Sequence, residues 1–392
     1  MKIATMVRGY IPAPRPADML YAPIDLAVEI SEGLAKLGHS VDFFGPKGSH
    51  LRRSNVVTLG LRPIARNHAE FRHLLDTPDL MNHYTPGLWD YYMAREMFER
   101  ASRGEYDLLH FHHPEAALPF VSLYPDVPVV YTLHEALSPL YQEVLEMYNS
   151  PNQHYISISN NQRRLAPHLP YAETVYNGID TKLFKYSDTH ENYLLFAARI
   201  VPDKGVKEAI QVAQRTGDRL LIIGPTYPDQ RAYFDRYVRP HLGRKIKYLG
   251  FVPHHELAAY YQKAKAFLMP IRWEEPFGMT MAEAMSCGTP VIAFRRGSVC
   301  EVVKDKQTGF IVDTVPQMAR AVRKIDAISR QACHEHATQN FSFERMAAGY
   351  EAAFQKILAA FRATQISPEL LRTLPVKKPK KVATSKPRKD IL

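Results

Sequence analysis

The sequence predicts an α/β protein made of two doubly wound domains in series, and three observations carry that expectation. The chain has 392 residues, well beyond the ~100 to 200 of a usual single domain. Short apolar runs alternate with amphipathic stretches along most of its length, as when parallel strands are joined by right-handed helical crossovers. At 181–191 the segment "TKLFKYSDTHE" is polar and irregular, and the alternation restarts after it.

The elements follow in order. "KIATMV" reads as a buried strand, and from Pro23 to Gly38 the apolar residues Ile24, Leu26, Ala27, Ile30, Leu34 and Leu37 are spaced as on one helix face, closed by the glycine. "SVDFFG", "NVVTLG", "DLLHFHH", "PVVYTLH" and "HYISIS" are apolar runs of strand length, as expected of strands covered on both faces. A helix is expected from Trp89 to Ala101. The second half repeats the theme with "NYLLFAARI", "RLLIIG", a helix through Tyr233, "KIKYLG", the helical "HELAAYYQKA", "AFLMP", a helix around Met281 to Ser286, and "PVIAF". From Phe343 to Phe361 an apolar stripe of Met346, Tyr350, Phe354, Ile357 and Leu358 predicts a long helix that needs a partner surface. The expected organisation is a first domain over 1–182, a second over 190–342, a helix over 343–362 and a disordered basic tail over 376–392.

Composition narrows the function classes. With 46% hydrophobic and 23% charged residues, the chain can bury two cores. No apolar run approaches the ~18 residues that span a bilayer, and the N-terminus lacks the apolar core of a secretory signal; a cytoplasmic location is expected. Cys287, Cys300 and Cys333 form no disulfide framework or metal knuckle and read as free thiols. The net charge of +10 is concentrated at one end: residues 376–392 hold seven basic side chains and one acid, hence +6, which leaves +4 for the rest. That distribution speaks against a nucleic-acid partner. The tail is either a solvated appendage or a peripheral contact with an anionic membrane face.

Two doubly wound sheets can face each other across a cleft through the C-terminal ends of their strands, where such sheets bind ligands. In the second half, Glu275 precedes a helix and Glu283 lies about two turns along it. The backbone amides of Phe277, Gly278, Met279 and Thr280 make a local positive pole suited to a phosphate. Flanking carboxylates could accept hydrogen bonds from sugar hydroxyls, although a solvated Glu275 and a surface Glu283 would be the plain structural alternative. Arg199 and Lys204, in the loop after "NYLLFAARI", offer a guanidinium fork and an ammonium to a diphosphate.

Over nearly all of residues 1–362 the sequence resembles the retaining glycosyltransferases of family 4 (glycosyl transferases group 1), which have the GT-B fold of two Rossmann-like domains. The resemblance rests on Glu275-Pro276-Phe277-Gly278 with Glu283, followed by Cys287-Gly288-Thr289-Pro290-Val291-Ile292. It implies that Glu275 contacts the donor sugar near the reacting carbon, that Glu283 binds the ribose hydroxyls, and that Arg199 and Lys204 neutralise the leaving diphosphate. It further implies amide contacts at Phe277, Gly278 and Met279, a base-binding loop through Leu249, Gly250, Phe251 and Val252, and a histidine near the sugar at His134; Asn177 and Gly178 are another shared landmark. One departure stands out: many members have Gly-Gly in the loop before the first long helix, where this chain has Ala22 and Pro23. Ala22 is therefore the donor-side residue expected to act differently, since proline removes an amide donor.

The resemblance implies transfer of a hexose from a nucleotide diphosphate sugar, UDP-glucose or a similar donor, to an acceptor that is a sugar, a lipid-linked sugar or a small metabolite. The fixed cations make a metal unnecessary, and no cofactor is expected. His110, His112 and His113, and Cys333, His334 and His336, read as structural groups rather than metal ligands. A nucleotide-sugar epimerase or hydrolase of the same fold, or a catalytically silent binding subunit, would be the alternatives.

Overall fold

The computed structural model describes residues 1–17, 19, 21–76 and 80–373. The basic tail expected over 376–392 lies outside them. Among the described residues, thirteen strands form two wholly parallel sheets.

The first sheet contains β1 (Lys2–Met6), β2 (Ser40–Phe44), β3 (Asn55–Val57), β4 (Leu108–Phe111), β5 (Val129–Leu133), β6 (Gln153–Ser157) and β7 (Tyr171–Thr174), in the order β3-β2-β1-β4-β5-β6-β7. The second contains β8 (Tyr193–Ala197), β9 (Arg219–Ile223), β10 (Ile246–Gly250), β11 (Ala266–Met269), β12 (Val291–Phe294) and β13 (Gly309–Val312), in the order β10-β9-β8-β11-β12-β13. In each sheet the strand order reverses beside the first strand, between β1 and β4 and between β8 and β11. At that point neighbouring connections leave to opposite faces and open a crevice at the carboxyl ends of the strands.

The central strands β4, β5, β8 and β11 are buried at every residue, as expected of strands covered by helices on both faces. The helix Ala22–Lys36 covers β1 and β2, with Pro23 in its first turn, where a missing N–H costs no helical hydrogen bond. The helix that contains the expected Trp89–Ala101 segment begins earlier, at Leu80, and runs to Ser102.

The final helix runs from Phe343 to Thr373, twelve residues beyond the expected Phe361. Its Met346, Tyr350, Phe354, Ile357 and Leu358 are buried in one cluster with Ile3, Ile30, Leu34 and Val130 of the first half. The two chain crossings between the halves run side by side: Ile179 and Ser342 form a parallel bridge, and the Ile179 N–H donates to the Phe341 carbonyl at 2.7 Å. Among the described residues, no helix is long and apolar enough to cross a membrane.

Candidate functional site

The second sheet sets out one group of side chains at the carboxyl ends of its reversing strands. Two residues beyond β8 comes Arg199, which is exposed, and then the short turn Pro202–Lys204. Beyond β11 the chain passes through Trp273 and Glu275 before the helix Met279–Ser286. Lys204 Nζ donates to Glu275 Oε2 at 2.5 Å, the indole N–H of Trp273 donates to the same oxygen at 2.9 Å, and Lys204 Nζ lies 4.6 Å from the centre of the Trp273 ring. Glu275 is 9% exposed, so the plain reading of a solvated acid does not hold. Its carboxylate is fixed by a cation and an indole.

The backbone around Glu275 is pinned from the next loop. Gly297 has φ of +54°, and a Cβ at that position would sit 2.3 Å from both the N and the O of Glu275; only glycine permits that approach. Its neighbour's amide, Ser298 N–H, donates to the Glu275 carbonyl at 2.9 Å, and Ser298 Oγ donates to the Phe277 carbonyl at 2.7 Å. Gly278, with φ of +78°, caps the helix that Met279 and Thr280 open. The first N–H groups of that helix have no intrahelical acceptor by position and carry the positive end of its dipole.

Glu283 lies on this helix and is 3% exposed, which removes the alternative of a surface residue. Its Oε1 is 2.8 Å from His254 Nε2, and its Oε2 accepts from the Tyr261 hydroxyl at 3.2 Å. Val252 is half-buried in the loop between β10 and the helix His254–Lys263, so the expected base-binding loop leads directly into the residue that holds Glu283. Burial alone would lower the His254 pKa, but the hydrogen bond to Glu283 and the charges of Glu283 and Asp25 outweigh it and raise the pKa above its ordinary value. Asp25 comes from the first half, on the Ala22–Lys36 helix. Ala22 is the first residue of that helix and is exposed.

His134 follows β5 in the first half and forms one end of a stacked pair: its Nε2 is 2.8 Å from His112 Nδ1, and the two rings are 13° from parallel. Burial holds His134 neutral, with its pKa lowered to about 3, and likewise pushes His112 well below the ordinary imidazole range. Two neutral rings sharing one hydrogen bond must adopt complementary tautomers. The remaining nitrogens, His134 Nδ1 and His112 Nε2, are buried without a protein partner. His110 sits beside them, with Nε2 2.8 Å from Thr132 Oγ1, which in turn is 3.0 Å from the Tyr350 hydroxyl of the last helix. Among the described residues, no group of three or more His, Cys, Asp or Glu side chains is arranged to hold a metal ion. Cys287 and Cys333 are buried and Cys300 is exposed, all three unpaired.

The sequence did not single out Trp273, His254, Tyr261, Gly297 or Ser298, and it offered His112 only as a structural group. A cavity of about 480 Å³ beside β12 and β13, bounded by Glu208, Arg272, Arg295, Arg296 and Asp313, contains none of the donor-side residues named above.

With the geometry established, comparison with known proteins is informative. A family model described as "Glycosyl transferases group 1" matches residues 180–342, and one described as "Glycosyltransferase Family 4" matches residues 26–183. A glycogen synthase of Mycobacterium tuberculosis is 28% identical over 294 residues, covering 65% of this chain and 69% of the relative. A phosphatidyl-myo-inositol mannosyltransferase of the same species is 26% identical over 324 residues, covering 77% and 81%. Among solved structures, Anabaena HepE in complex with UDP and glucose superposes with a TM-score of 0.62 at 17% identity, covering 95% of this chain and all of that one. Two parallel sheets, two adjoining family matches that meet at the crossing near 180, and relatives of this kind lead to one assignment: the chain belongs to the group 1, family 4 glycosyltransferases and has the GT-B fold.

Proposed function

We propose that the enzyme moves a hexose from a nucleotide diphosphate sugar, UDP-glucose or a close analogue, to an acceptor with retention at the anomeric carbon and without a metal ion. The observation that carries this reading is the cluster at the carboxyl ends of β8 and β11, in which Lys204 is paired to Glu275 beside the opening turn of the Met279–Ser286 helix. Breaking the bond between C1 and the phosphate oxygen leaves a cation-like sugar carbon and a departing diphosphate, so the barrier falls chiefly where fixed donors meet the developing negative charge. Arg199, Lys204 and the amides of Phe277, Gly278, Met279 and Thr280 supply such donors. Glu275 faces the sugar, His134 offers its unpartnered Nδ1 to a sugar hydroxyl, Glu283 receives the ribose hydroxyls, and Val252 lies along the base. The acceptor oxygen then bonds to C1, and its proton leaves with the diphosphate.

The known complex of HepE with UDP and glucose favours a uridine donor. The first half, 1–182, is the acceptor side, and the tail over 376–392 is the part that would touch an anionic membrane face. The test is release of UDP from UDP-glucose in excess EDTA, with and without candidate acceptors. Transfer that survives the chelator supports the reading. Complete loss restored by magnesium or manganese overturns the metal-free part, and donor consumption that never depends on an acceptor identifies a hydrolase instead.

A further inference from the structure

A second cavity, of about 400 Å³, opens in the first half and is bounded by Arg8, Tyr10, Phe71, Asp90, Tyr91 and Glu115. Arg8 lies two residues beyond β1 and Glu115 four beyond β4, so the cavity sits where the order of the first sheet reverses, the position at which open α/β sheets bind ligands. Its size falls within the ~300 to 1,000 Å³ of ordinary small-molecule sites. One helix of its wall also touches the second half. The helix His68–Asp76 supplies Phe71 to the cavity, while the His68 ring stacks 5.3 Å from that of Tyr227 and the Arg72 guanidinium lies 4.6 Å from the same ring.

We infer that this cavity is the acceptor subsite and that it takes a sugar ring, neutral or carrying an ammonium group, and not an anion. The inference rests on the transferase reading above. Its chemistry comes from the charges. Arg8 Nη1 is 3.1 Å from Asp90 Oδ2, and the other oxygen of Asp90 accepts the Gly9 N–H at 2.6 Å, so this carboxylate, whose side chain is 2% exposed, is fully engaged. Glu115 adds a second acid; one arginine against two carboxylates leaves the lining at a formal charge of −1. The side chain of Glu115 is 44% exposed, yet its Oε2 is buried and makes no hydrogen bond of ordinary geometry. After burial, the charge of Glu115 and a hydrogen bond to its carboxylate raise the Tyr141 pKa further. The nearest ionisable nitrogen, His113 Nδ1 at 3.9 Å, belongs to a ring that burial keeps neutral.

A ligand hydroxyl or ammonium would give Glu115 Oε2 a donor beside the one Tyr141 offers the carboxylate, whereas a carboxylate or phosphate would add to an unbalanced negative charge. Arg8 offers an anion little, because its charge is already set against Asp90. The rings of Tyr10, Phe71 and Tyr91 provide the flat apolar walls against which the C–H face of a pyranose packs, beside a small number of placed polar groups.

The experiment titrates the full-length protein calorimetrically with UDP, and then with four probes: methyl α-glucoside, glucosamine, glucose 6-phosphate and malate. The two uncharged or cationic sugars should bind more tightly than the two anions. Glu115→Gln should weaken glucosamine about tenfold more than methyl α-glucoside, the scale for a hydrogen bond to a charged group, and should leave UDP affinity unchanged. Tyr91→Ala, on the exposed rim of the cavity, should weaken both sugars. Tighter binding of glucose 6-phosphate or malate, or a Glu115→Gln protein that holds glucosamine as the parent does, overturns the inference; so does UDP binding with no hexose binding. Hexose binding without UDP binding supports the cavity's chemistry while the donor reading fails.

Discussion

Lys204 and Glu275 are largely buried, with side chains 17% and 11% exposed, and each is the other's nearest opposite charge. A diphosphate entering beside them would compete with Glu275 for the lysine, so Lys204 contributes most when charge builds on the leaving group. Lys204→Ala should therefore lower kcat by about 10² or more, the scale for removing one strong transition-state donor. Glu283→Ala removes ground-state contacts and should mainly raise the donor KM. Steady-state kinetics on both variants checks the split, and small equal effects would place the chemistry elsewhere. His254 adds a pH dependence. Its pKa is raised by Glu283, so the charged pair is complete below about 6.5, the ordinary imidazole value, and is lost as pH rises through the higher folded-state value. Donor KM should accordingly rise with pH across that window in the parent, and the rise should flatten in His254→Gln. A parent profile that His254→Gln leaves unchanged would remove His254 from that role.

At the scale of elements, the first and last helices pack closely although they come from opposite ends of the sequence. A Cβ added at Gly33 would lie 2.5 Å from the Cβ of Ala347, inside any tolerable separation. Gly33→Leu should cost about 1 to 3 kcal/mol through overpacking, read as a fall in melting temperature. Gly33→Ala combined with Ala347→Gly should recover most of the loss of Gly33→Ala alone, because the clash is pairwise. The stripe on the last helix was legible because its spacing is a local property of the sequence. So were β1, β4, β5, β8 and β11, whose continuous apolar runs follow from burial on both faces. β7 and β13 were not: both are edge strands, and the half-buried "YAET" and "GFIV" carry too weak a pattern to announce a strand. The site divides in the same way. Glu275, Gly278 and Glu283 lie within one turn and one helix, where spacing fixes their geometry. By contrast, Arg8 and Asp90 are 82 positions apart, and His254 and Glu283 are 29 apart; only the folded sheets bring such pairs together.

Across the whole molecule, the two halves are joined by polar contacts as well as by the crossing chains. The most concentrated of these is Glu301, in the second half, which accepts from the backbone N–H groups of Asn160 and Asn161, both at 2.7 Å, and from the Tyr176 hydroxyl at 3.0 Å. Those two amides open the helix Asn160–Leu165 of the first half, so a carboxylate from one half caps a helix of the other, where an anion also complements the helix dipole. Beside it, the Asn161 side-chain amide donates to Glu274 Oε2 at 3.4 Å, next to Glu275. Removing the cap leaves two backbone amides, the Asn160 side-chain amide and the Tyr176 hydroxyl without this acceptor and releases a tie close to Glu275. Glu301→Ala should therefore cost about 1 to 3 kcal/mol, the scale for hydrogen bonds to a charged acceptor. Because the loss falls between the halves and not inside either core, it should also weaken their coupling. Calorimetry should then show a broadened or split unfolding transition, with the van't Hoff enthalpy falling below the calorimetric one. On the proposed donor reading UDP would bind the second half, so saturating UDP should raise one of the two transitions selectively, since a ligand at a hundred times its dissociation constant adds ~2.7 kcal/mol to the unit that holds it. A Glu301→Ala protein that still unfolds in one sharp step, with UDP shifting all of it equally, would show that the crossing chains and the last helix alone hold the two halves as one cooperative body.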